Sequence, residues 1–324
     1  MRIGYSVHFS DIYLSGVEYY SLGVIRALAS NFPENDYVVF TNRPGLVSEG
    51  VGEHDCLSLR KSPFRGSRLL RILWEHSVLP RLARRERLDV LHCPCYVCPA
   101  FECGVPYVVT VHDTIALDRP GWCKPSNAAY YGLMLRRSID RASAVIADSQ
   151  AAADDIRRHC CVEPARLNVI APGIDDVFRR TPCPAELHNV RDKYGLPEKY
   201  ILSVGNIEPK KNIPLLLRAY KVFRERGFPH SLVLAGGRTW RSRGVFAAIR
   251  AKGLDGNVVL PGYVDRCDLP LLYSLAEIYI CSSLHEGFGF PPLEAMACGT
   301  PVVASLRGAL ALSLIHISEP TRPY

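Results

Sequence analysis

Two glutamates flank a short glycine-containing segment in the last part of the chain. Glu286 directly precedes Gly287, and Gly289 and Glu294 follow, with seven residues between the two glutamates. A glycine loop that leads into a helix offers unpaired N–H groups and the positive end of the helix dipole to an anion. Carboxylates repel phosphate, but they accept hydrogen bonds from hydroxyl groups. The segment therefore predicts a site for a diphosphate with hydroxyl-bearing rings on both sides, such as a nucleotide sugar.

The residues around these glutamates also predict local structure. Pro291 and Pro292 suit the first turn of a helix, because a missing N–H group costs nothing there. Gly299 is typical of the position just past a helix C-terminus, and the β-branched run after it predicts a buried strand. An ordinary helix start, in which Glu294 lies in the first turn and only complements the helix dipole, is the alternative to a ligand site.

The segment HEGFGFPPLEAMACGTPVVAS, with its E-x7-E spacing, resembles the nucleotide-sugar site of retaining glycosyltransferases of family four. The resemblance implies an α/β protein with the GT-B fold, in which two Rossmann-like parallel-sheet domains face a cleft. It implies that Glu286 binds hydroxyl groups of the donor sugar and that Glu294 binds the ribose. Gly287, Phe288 and Gly289 would then present main-chain N–H groups to the diphosphate.

Two further segments of the second half resemble parts of the same site. GNIEPKKN resembles the donor-phosphate loop G-x-x-x-P-x-K-N of the family, and its Lys211 would supply a point charge to the diphosphate. Asn206 stands where the family often has arginine, so donor affinity is expected to depend more on Lys211. LPGYV resembles the segment that holds the base through backbone groups, which suggests Tyr263 and Val264. A surface lysine pair is the alternative interpretation of Lys210 and Lys211.

The first half contributes two candidate residues. The predicted strand PYVVTVHD ends at His112 and Asp113, where the carboxyl end of a parallel strand meets the ligand crevice of an open sheet. The resemblance implies that His112 approaches the donor sugar and that Asp113 is its structural neighbour. It also places Gly16, in the loop after the first strand, along the cleft. A strand-end hydrogen bond and an ordinary loop glycine are the alternatives.

The activity that the resemblance implies is transfer of a glycosyl group, with retention, from a nucleotide diphosphate sugar to an acceptor hydroxyl. His112, Lys211 and Glu286 are the expected catalytic residues, and stabilisation of the departing diphosphate is the expected source of catalysis. The expected donor is GDP-mannose, and the expected acceptor is a saccharide or a lipid-linked saccharide of a cell-surface polysaccharide or glycolipid. No metal or other cofactor is expected, because cationic groups and the helix dipole balance the diphosphate charge.

Three other functions are compatible with parts of the sequence. A nucleotide-sugar epimerase of the GT-B type shares the architecture, although HEGFGFPPLEA fits the transferases better. A non-catalytic nucleotide-sugar-binding module or an inactive truncated fragment is the second alternative. A Rossmann oxidoreductase is disfavoured, because the strand–loop–helix opening lacks the GxGxxG fingerprint.

Composition limits the class of protein. The chain has 324 residues, is 48% hydrophobic and 22% charged, and carries a net charge of +7, which suits a globular protein of two domains without a nucleic-acid partner. The N-terminus lacks the apolar core of a signal peptide, and no apolar run approaches the length of a membrane span, so we expect a cytoplasmic protein. Its twelve cysteines are expected to be reduced thiols. Those at positions 93, 95, 98 and 103 lack the spacing of a zinc site.

A basic region at residues 65–87 interleaves arginines with apolar residues. Such an amphipathic segment predicts peripheral contact with anionic lipid headgroups at the inner face of the membrane, or else a solvated helix face over a domain core. The residues concerned are Arg65, Arg68, Arg71, Arg81, Arg84, Arg85 and Arg87, with Leu69, Leu70, Ile72, Leu73 and Trp74.

Strand and helix patterns alternate along both halves, which predicts two parallel sheets. We place an acceptor-side domain at residues 1–178 and a nucleotide-sugar-binding domain at 179–311, with the proline- and glycine-containing stretch 175–197 as the connection. The segment from Leu312 to Arg322 resembles the translation of a sequencing-library adapter. We therefore expect residues 312–324 to be a non-native tail and the second domain to be incomplete.

Overall fold

The computed structural model describes residues 1–10, 13–64, 67–179, 182–238 and 242–310. The predicted tail at 312–324 and Arg65 of the basic region lie outside the described residues. The chain divides into two compact units, one of Met1–Pro172 and one that begins at Gly173. The division lies before the predicted boundary at 178/179, because Phe178 is fully buried in the core of the second unit, with its ring 6.0 Å from that of Tyr273.

The described part of unit 1 contains a sheet of seven strands, all parallel, in the order β3-β2-β1-β4-β5-β6-β7. This is the Rossmann-like arrangement that the alternating strand and helix patterns predict. The strands are β1 (Arg2–Ser6), β2 (Asp36–Thr41), β3 (Leu57–Lys61), β4 (Val90–Cys93), β5 (Tyr107–Val111), β6 (Ala144–Ala147) and β7 (Leu167–Val169).

Helices of unit 1 connect these strands. The helix expected in the strand–loop–helix opening is present as α1, whereas α2, α5 and α6 were not predicted. A π-helical turn, Trp74–Val78, joins α3 to α4. The helices are α1 (Gly16–Asn31), α2 (Pro44–Val51), α3 (Arg68–Leu73), α4 (Leu79–Arg85), α5 (Ile115–Asp118), α6 (Pro125–Arg141) and α7 (Gln150–His159).

Alternate residues of one strand bury opposite faces of the unit 1 sheet. In β2, Val38 and Phe40 pack with Trp74 in one hydrophobic cluster, whereas Tyr37 and Val39 pack in another. A parallel strand with helices on both faces has this continuous apolar sequence rather than a polar–apolar alternation. Apolar packing on both faces stabilises the sheet. Because its described strands are all parallel, their carboxyl ends lie along one edge.

Unit 2 has the same architecture as unit 1, a parallel sheet connected by helices, but with fewer strands in its described part. In its described part, five parallel strands follow the order β10-β9-β8-β11-β12. The strands are β8 (Tyr200–Val204), β9 (Ser231–Ala235), β10 (Val258–Gly262), β11 (Ile278–Cys281) and β12 (Val302–Ala304), and the helices are α8 (Pro184–Tyr194), α9 (Ile213–Glu225), α10 (Arg243–Ala251), α11 (Leu269–Leu275) and α12 (Phe290–Ala297).

Two details of unit 2 differ from the sequence prediction. The stretch expected to be a connection contains α8, which begins at Pro184 and ends before Gly195, a residue in the left-handed conformation. Proline at the start of a helix and glycine just after its end are ordinary boundary residues. Their presence in this stretch therefore did not indicate a linker. The predicted buried strand is present as β12, but it lies at the edge of the described sheet and Val303 is exposed.

Among the described residues, no helix combines the length and the apolar character that crossing a membrane requires.

Candidate nucleotide-sugar site

Two neighbouring strands position the candidate site of unit 2. β8 and β11 pair in parallel, so the loops that follow their carboxyl ends lie side by side. The Ser282 hydroxyl donates a hydrogen bond to the Lys211 carbonyl at 2.8 Å, and the Leu284 N–H donates to the Lys210 carbonyl at 2.7 Å. These bonds tie the Lys211 loop to the loop that carries Glu286, which the sequence places far along the chain.

Lys211 and Glu286 form a nearly buried ion pair at this junction. Lys211 Nζ lies 2.7 Å from Glu286 Oε1, and the two side chains are 13% and 9% exposed. The Ser283 hydroxyl donates to the same carboxylate oxygen at 2.6 Å. Burial alone would raise the pKa of Glu286, but the charges of Lys211 and Lys210 and the two hydrogen bonds lower it to about 2. Glu286 is therefore a carboxylate, and therefore a hydrogen-bond acceptor, throughout the physiological range.

Gly205 allows Lys211 to reach this position. It follows β8 with a φ of 140°, and a Cβ atom there would lie 2.7 Å from Lys211 Cε. A side chain at residue 205 would collide with the lysine and strain the backbone.

The glycine segment leads into α12 as predicted. Gly289 is the residue before the helix, in the left-handed conformation with φ of 95°. Phe288 is buried and its ring packs edge-on against Phe290, with the centroids 5.0 Å apart. The helix ends before Gly299, which has a positive φ of 81°, so the predicted helix end is confirmed.

Glu294 lies one turn deeper than the sequence prediction placed it. It is the fifth residue of α12, outside the first turn, and only 6% exposed. The Tyr273 hydroxyl donates to Glu294 Oε2 at 2.9 Å, and Arg266 lies 3.6 Å from Oε1. Burial raises the pKa of Glu294, and the nearby Asp175 carboxylate adds to that effect, whereas Arg266 and Tyr273 oppose it without reversing it.

Three other predicted residues lie at the same edge of the unit 2 sheet. Asn206 is exposed beside Gly205, and its side-chain oxygen accepts a hydrogen bond from Gly237 N–H at 3.2 Å. Tyr263 and Val264 directly follow β10. The Val264 side chain belongs to the hydrophobic core, so its main chain is the part available to a ligand.

His112 and Gly16 belong to unit 1. The structure places His112 directly after β5 with both ring nitrogens engaged by the protein. Nδ1 lies 2.5 Å from Asp148 Oδ2, and Nε2 lies 2.8 Å from the Pro94 carbonyl, which only accepts hydrogen bonds. Burial alone would lower the pKa of His112, but the partnership with Asp148 and the Pro94 carbonyl raises it. Gly16 is the exposed first residue of α1.

All twelve cysteines are free thiols, and no group of three or more metal-binding side chains occurs in the described part of the chain.

In the basic region Trp74 is buried in the unit 1 core, whereas Leu69, Leu70 and Leu73 are exposed.

Sequence reasoning missed three residues that hold the predicted ones. Ser283 and Arg266 contact the carboxylates of Glu286 and Glu294, and Asp148 contacts His112. Asp148 had a usable signal, because it directly follows β6, the neighbour of β5 in the sheet. Ser283 and Arg266 belong to no sequence pattern that would have predicted their contacts with the two glutamates.

Two family models match the chain. The model of Glycosyltransferase Family 4 matches residues 14–178, about half of the chain, and that of Glycosyl transferases group 1 matches residues 188–316. The chain belongs to glycosyltransferase family 4.

The names of curated relatives agree with this membership. The O-antigen chain mannosyltransferase B of Escherichia coli is 34% identical over 202 residues, covering 61% of this chain and 52% of that protein. The serotype-specific mannosyltransferase WbdA of Escherichia coli is 31% identical over 210 residues, covering 62% of this chain and 26% of that protein. This chain thus spans about a quarter to about half of these family 4 relatives.

Solved structures show the fold. Anabaena Alr3699/HepE in complex with UDP and glucose matches with a TM-score of 0.72 at 19% identity, over 99% of this chain and 83% of that one. WaaG, a glycosyltransferase involved in lipopolysaccharide biosynthesis, matches with a TM-score of 0.72 at 15% identity, over 97% and 84%. The family 4 chain therefore has the GT-B fold that its sequence predicts.

Proposed function

We propose that this chain transfers a glycosyl group, with retention, from a nucleotide diphosphate sugar to an acceptor hydroxyl. The observation that carries the proposal is the Lys211–Glu286 pair, at 2.7 Å, beside the glycine loop that precedes α12. A cation, the main-chain N–H groups of the glycine loop and an ionised carboxylate are thereby gathered at one edge of a parallel sheet. A solved relative of the same fold is described in complex with UDP-glucose, which supports this class of donor.

Each of these groups has a distinct task in the proposed reaction. Lys211 and the N–H groups of residues 287–290 stabilise the negative charge that grows on the diphosphate as the glycosidic bond breaks. The phosphate competes with Glu286 for Lys211, and Glu286, which stays ionised, then accepts hydrogen bonds from sugar hydroxyls. The leaving phosphate takes the proton of the acceptor hydroxyl on the same face of the sugar, which gives retention. No resident metal is required in this scheme.

Glu294 is proposed to bind the ribose hydroxyls. Arg266 and Tyr273 hold its carboxyl group in place, and Arg266 also lies 3.5 Å from Asp175. Each carboxyl oxygen of Glu294 has a lone pair beyond the one that faces Arg266 or Tyr273, so the group can accept a hydrogen bond from a ribose hydroxyl.

Replacing Glu294 with glutamine tests this role. We expect nucleotide affinity in calorimetry at pH 7 to fall about tenfold, because a hydrogen bond to a charged group contributes about 1.5–3 kcal/mol. Thermal stability should not fall, because the amide keeps an acceptor for Tyr273 and removes a buried carboxylate. Glu225→Gln, at an exposed glutamate of α9, is the control and should change neither value. Unchanged nucleotide affinity in Glu294→Gln would contradict the ribose role.

The proposed donor is GDP-mannose and the proposed pathway is synthesis of a cell-surface polysaccharide or glycolipid. The curated relatives, which include an O-antigen chain mannosyltransferase, support the mannosyl group and the pathway, whereas the guanosine diphosphate part is carried over from the family resemblance of the sequence. The chain is to be titrated calorimetrically with GDP, UDP, ADP and GDP-mannose, and then assayed for mannosyl transfer to hexosides, with the product anomer assigned by NMR. The proposal predicts guanine-dependent binding and an α-linked product. Absence of binding to every nucleotide would overturn it, and an inverted product would remove retention.

We further propose that the basic region meets anionic lipid headgroups. On α3, Leu69, Leu70 and Leu73 are 67%, 54% and 54% exposed, and exposed arginines occupy positions 81, 84, 85 and 87. An apolar edge beside clustered cations suits the interface of an anionic bilayer.

Vesicle sedimentation tests this contact. Changing Leu69, Leu70 and Leu73 together to serine is expected to abolish binding to vesicles containing phosphatidylglycerol, because the apolar surface that enters the headgroup region is lost. Leu215→Ser, at an exposed leucine of α9, is the control and should bind as the wild type does. Equal sedimentation of the triple variant and the control would contradict the lipid contact.

A further inference from the structure

Unit 1 contains a pocket with charged, aromatic and apolar walls that the proposed donor site does not use. It lies where β1 and β4, which pair in the sheet, reach their carboxyl ends at Ser6 and Cys93. Its empty volume is about 440 Å³ when the solvent-open mouth is included, while its deep part has room for only one or two water-sized groups. The lining residues are Ser6, His8, Arg71, Glu75, Leu79, Cys93, Cys95, Val97, Pro99, Tyr130 and Tyr131.

The charges in this pocket balance each other. Arg71 Nε lies 3.7 Å from Glu75 Oε1, and His8 Nδ1 lies 3.5 Å from the same oxygen. Burial alone would raise the pKa of Glu75, but the contacts with His8 and Arg71 lower it, so the carboxylate stays ionised. A further phosphate or carboxylate entering the pocket would meet this negative charge.

The pocket also has hydrogen-bonding capacity that the protein leaves unused. Arg71 Nε is buried and has no hydrogen-bond partner among the described residues, since the 3.7 Å approach to Glu75 exceeds hydrogen-bond length. A buried donor without a partner is costly, and a ligand oxygen would satisfy it. Glu75 lies in the π-helical turn between α3 and α4, a distortion that often marks functional positions.

Aromatic rings form another wall of the pocket. The rings of Tyr130 and Tyr131 meet edge-on with centroids 5.2 Å apart, and Tyr130 OH lies 3.5 Å from Glu75 Oε2. Aromatic faces suit the C–H surface of a sugar ring, and a donor and an acceptor side by side suit its hydroxyl groups.

We infer that this pocket binds a neutral saccharide, with a hydroxyl or hydroxymethyl group in its deep part between Arg71 and Glu75. The inference rests on the proposed function, for which this saccharide is the acceptor. The internal ion pair makes the pocket selective, because it favours neutral hexosides over uronic acids and phosphorylated sugars. Arg71 and Glu75 are thus specificity-determining residues, and all the lining residues belong to unit 1.

The test measures binding of two small saccharides to the whole chain by saturation-transfer NMR. Methyl α-mannoside is the neutral probe and methyl glucuronoside, a uronic acid, is the anionic one. Glu75→Gln leaves Arg71 without its counter-charge, so we expect about tenfold weaker binding of the mannoside and stronger binding of the glucuronoside. Arg158→Gln, at an exposed arginine of α7, is the control and should keep the wild-type preference.

A second variant covers the case in which Glu75→Gln does not fold. Ser6→Val adds bulk at the pocket and keeps both charges, so mannoside binding should weaken without a gain of glucuronoside binding. Mannoside binding that is absent in the wild type, or equal in the wild type and both variants, would overturn the inference. Nucleotide calorimetry on the same samples separates the two claims. If only the saccharide inference is wrong, the wild type still binds nucleotide. If the proposed function is wrong, the wild type does not bind nucleotide.

Discussion

Replacing Lys211 with alanine is expected to lower the rate of glycosyl transfer a hundredfold or more. Losing one preorganised group that stabilises a developing negative charge typically costs on the order of 10²–10³ in rate. Lys211 is held beside the glycine loop by its contact with Glu286 and by the room that Gly205 leaves for it. The rate is to be measured with saturating donor, so that weakened binding does not mask the effect on chemistry.

Replacing Lys211 with alanine is also expected to lower the free energy of unfolding, and this effect has to be measured separately from the rate. The Glu286 carboxylate is 9% exposed in the wild type, and removing Lys211 leaves it with the hydrogen bond from Ser283 in place of a cation. Breaking a buried ion pair by removing one member costs about 3–5 kcal/mol, so urea unfolding of the variant is needed as well. Lys221→Ala is the control, because Lys221 is exposed on α9, lies 3.8 Å from Glu225 and is expected to affect transfer little. Equal losses of activity in the two variants would contradict the role of Lys211.

Replacing Glu286 with glutamine is expected to reduce the free energy of unfolding at pH 7 by about 3 kcal/mol. The carboxylate has a pKa of about 2 in the folded chain against 4.5 ordinarily, and each unit corresponds to about 1.36 kcal/mol. Because the folded pKa is lowered, this stabilisation is present above pH 4.5 and is lost as the pH falls towards 2. The difference between wild type and variant in urea unfolding should therefore shrink from pH 5 to pH 3.

The other glutamate of the motif provides an internal control for that pH dependence. The pKa of Glu294 is raised, so its protonated form stabilises the fold at low pH and that contribution is lost as the pH rises through the folded pKa. Glu294→Gln should therefore show the opposite trend, gaining stability relative to wild type as the pH increases. A pH-independent difference for Glu286→Gln would contradict its assignment as a strongly paired carboxylate.

The sequence predicted the elements of the candidate site better than its contacts. The family resemblance implied that the Lys211 loop and the Glu286 loop belong to one site, and the two loops are joined by hydrogen bonds. The glycines and prolines predicted the end of α12 and the presence of Pro291 and Pro292 in its first turn. The placement of Glu294 in that turn was wrong, because the helix begins at Phe290 and Glu294 is its fifth residue.

Side-chain pairing is the part that the sequence could not supply. Arg266 reaches Glu294 from the loop after β10, and only the three-dimensional packing of that loop on α12 determines this contact. His112 was expected to face the donor sugar, yet Asp148 and the Pro94 carbonyl engage both of its nitrogens. A ligand role for His112 remains a prediction, and it requires one of these bonds to be exchanged.

Hydrogen–deuterium exchange with and without GDP-mannose tests the central claim most directly, because it shows where on the chain the donor binds. The account predicts slower exchange in peptides covering residues 205–212 and 282–290, which carry Lys211, Glu286 and the glycine loop. Peptides from the α9–β9 turn at residues 226–230, which precedes the amino end of β9 at the opposite edge of the parallel sheet, should be unchanged. Binding that slows exchange elsewhere, and leaves both loops unaffected, would contradict the account.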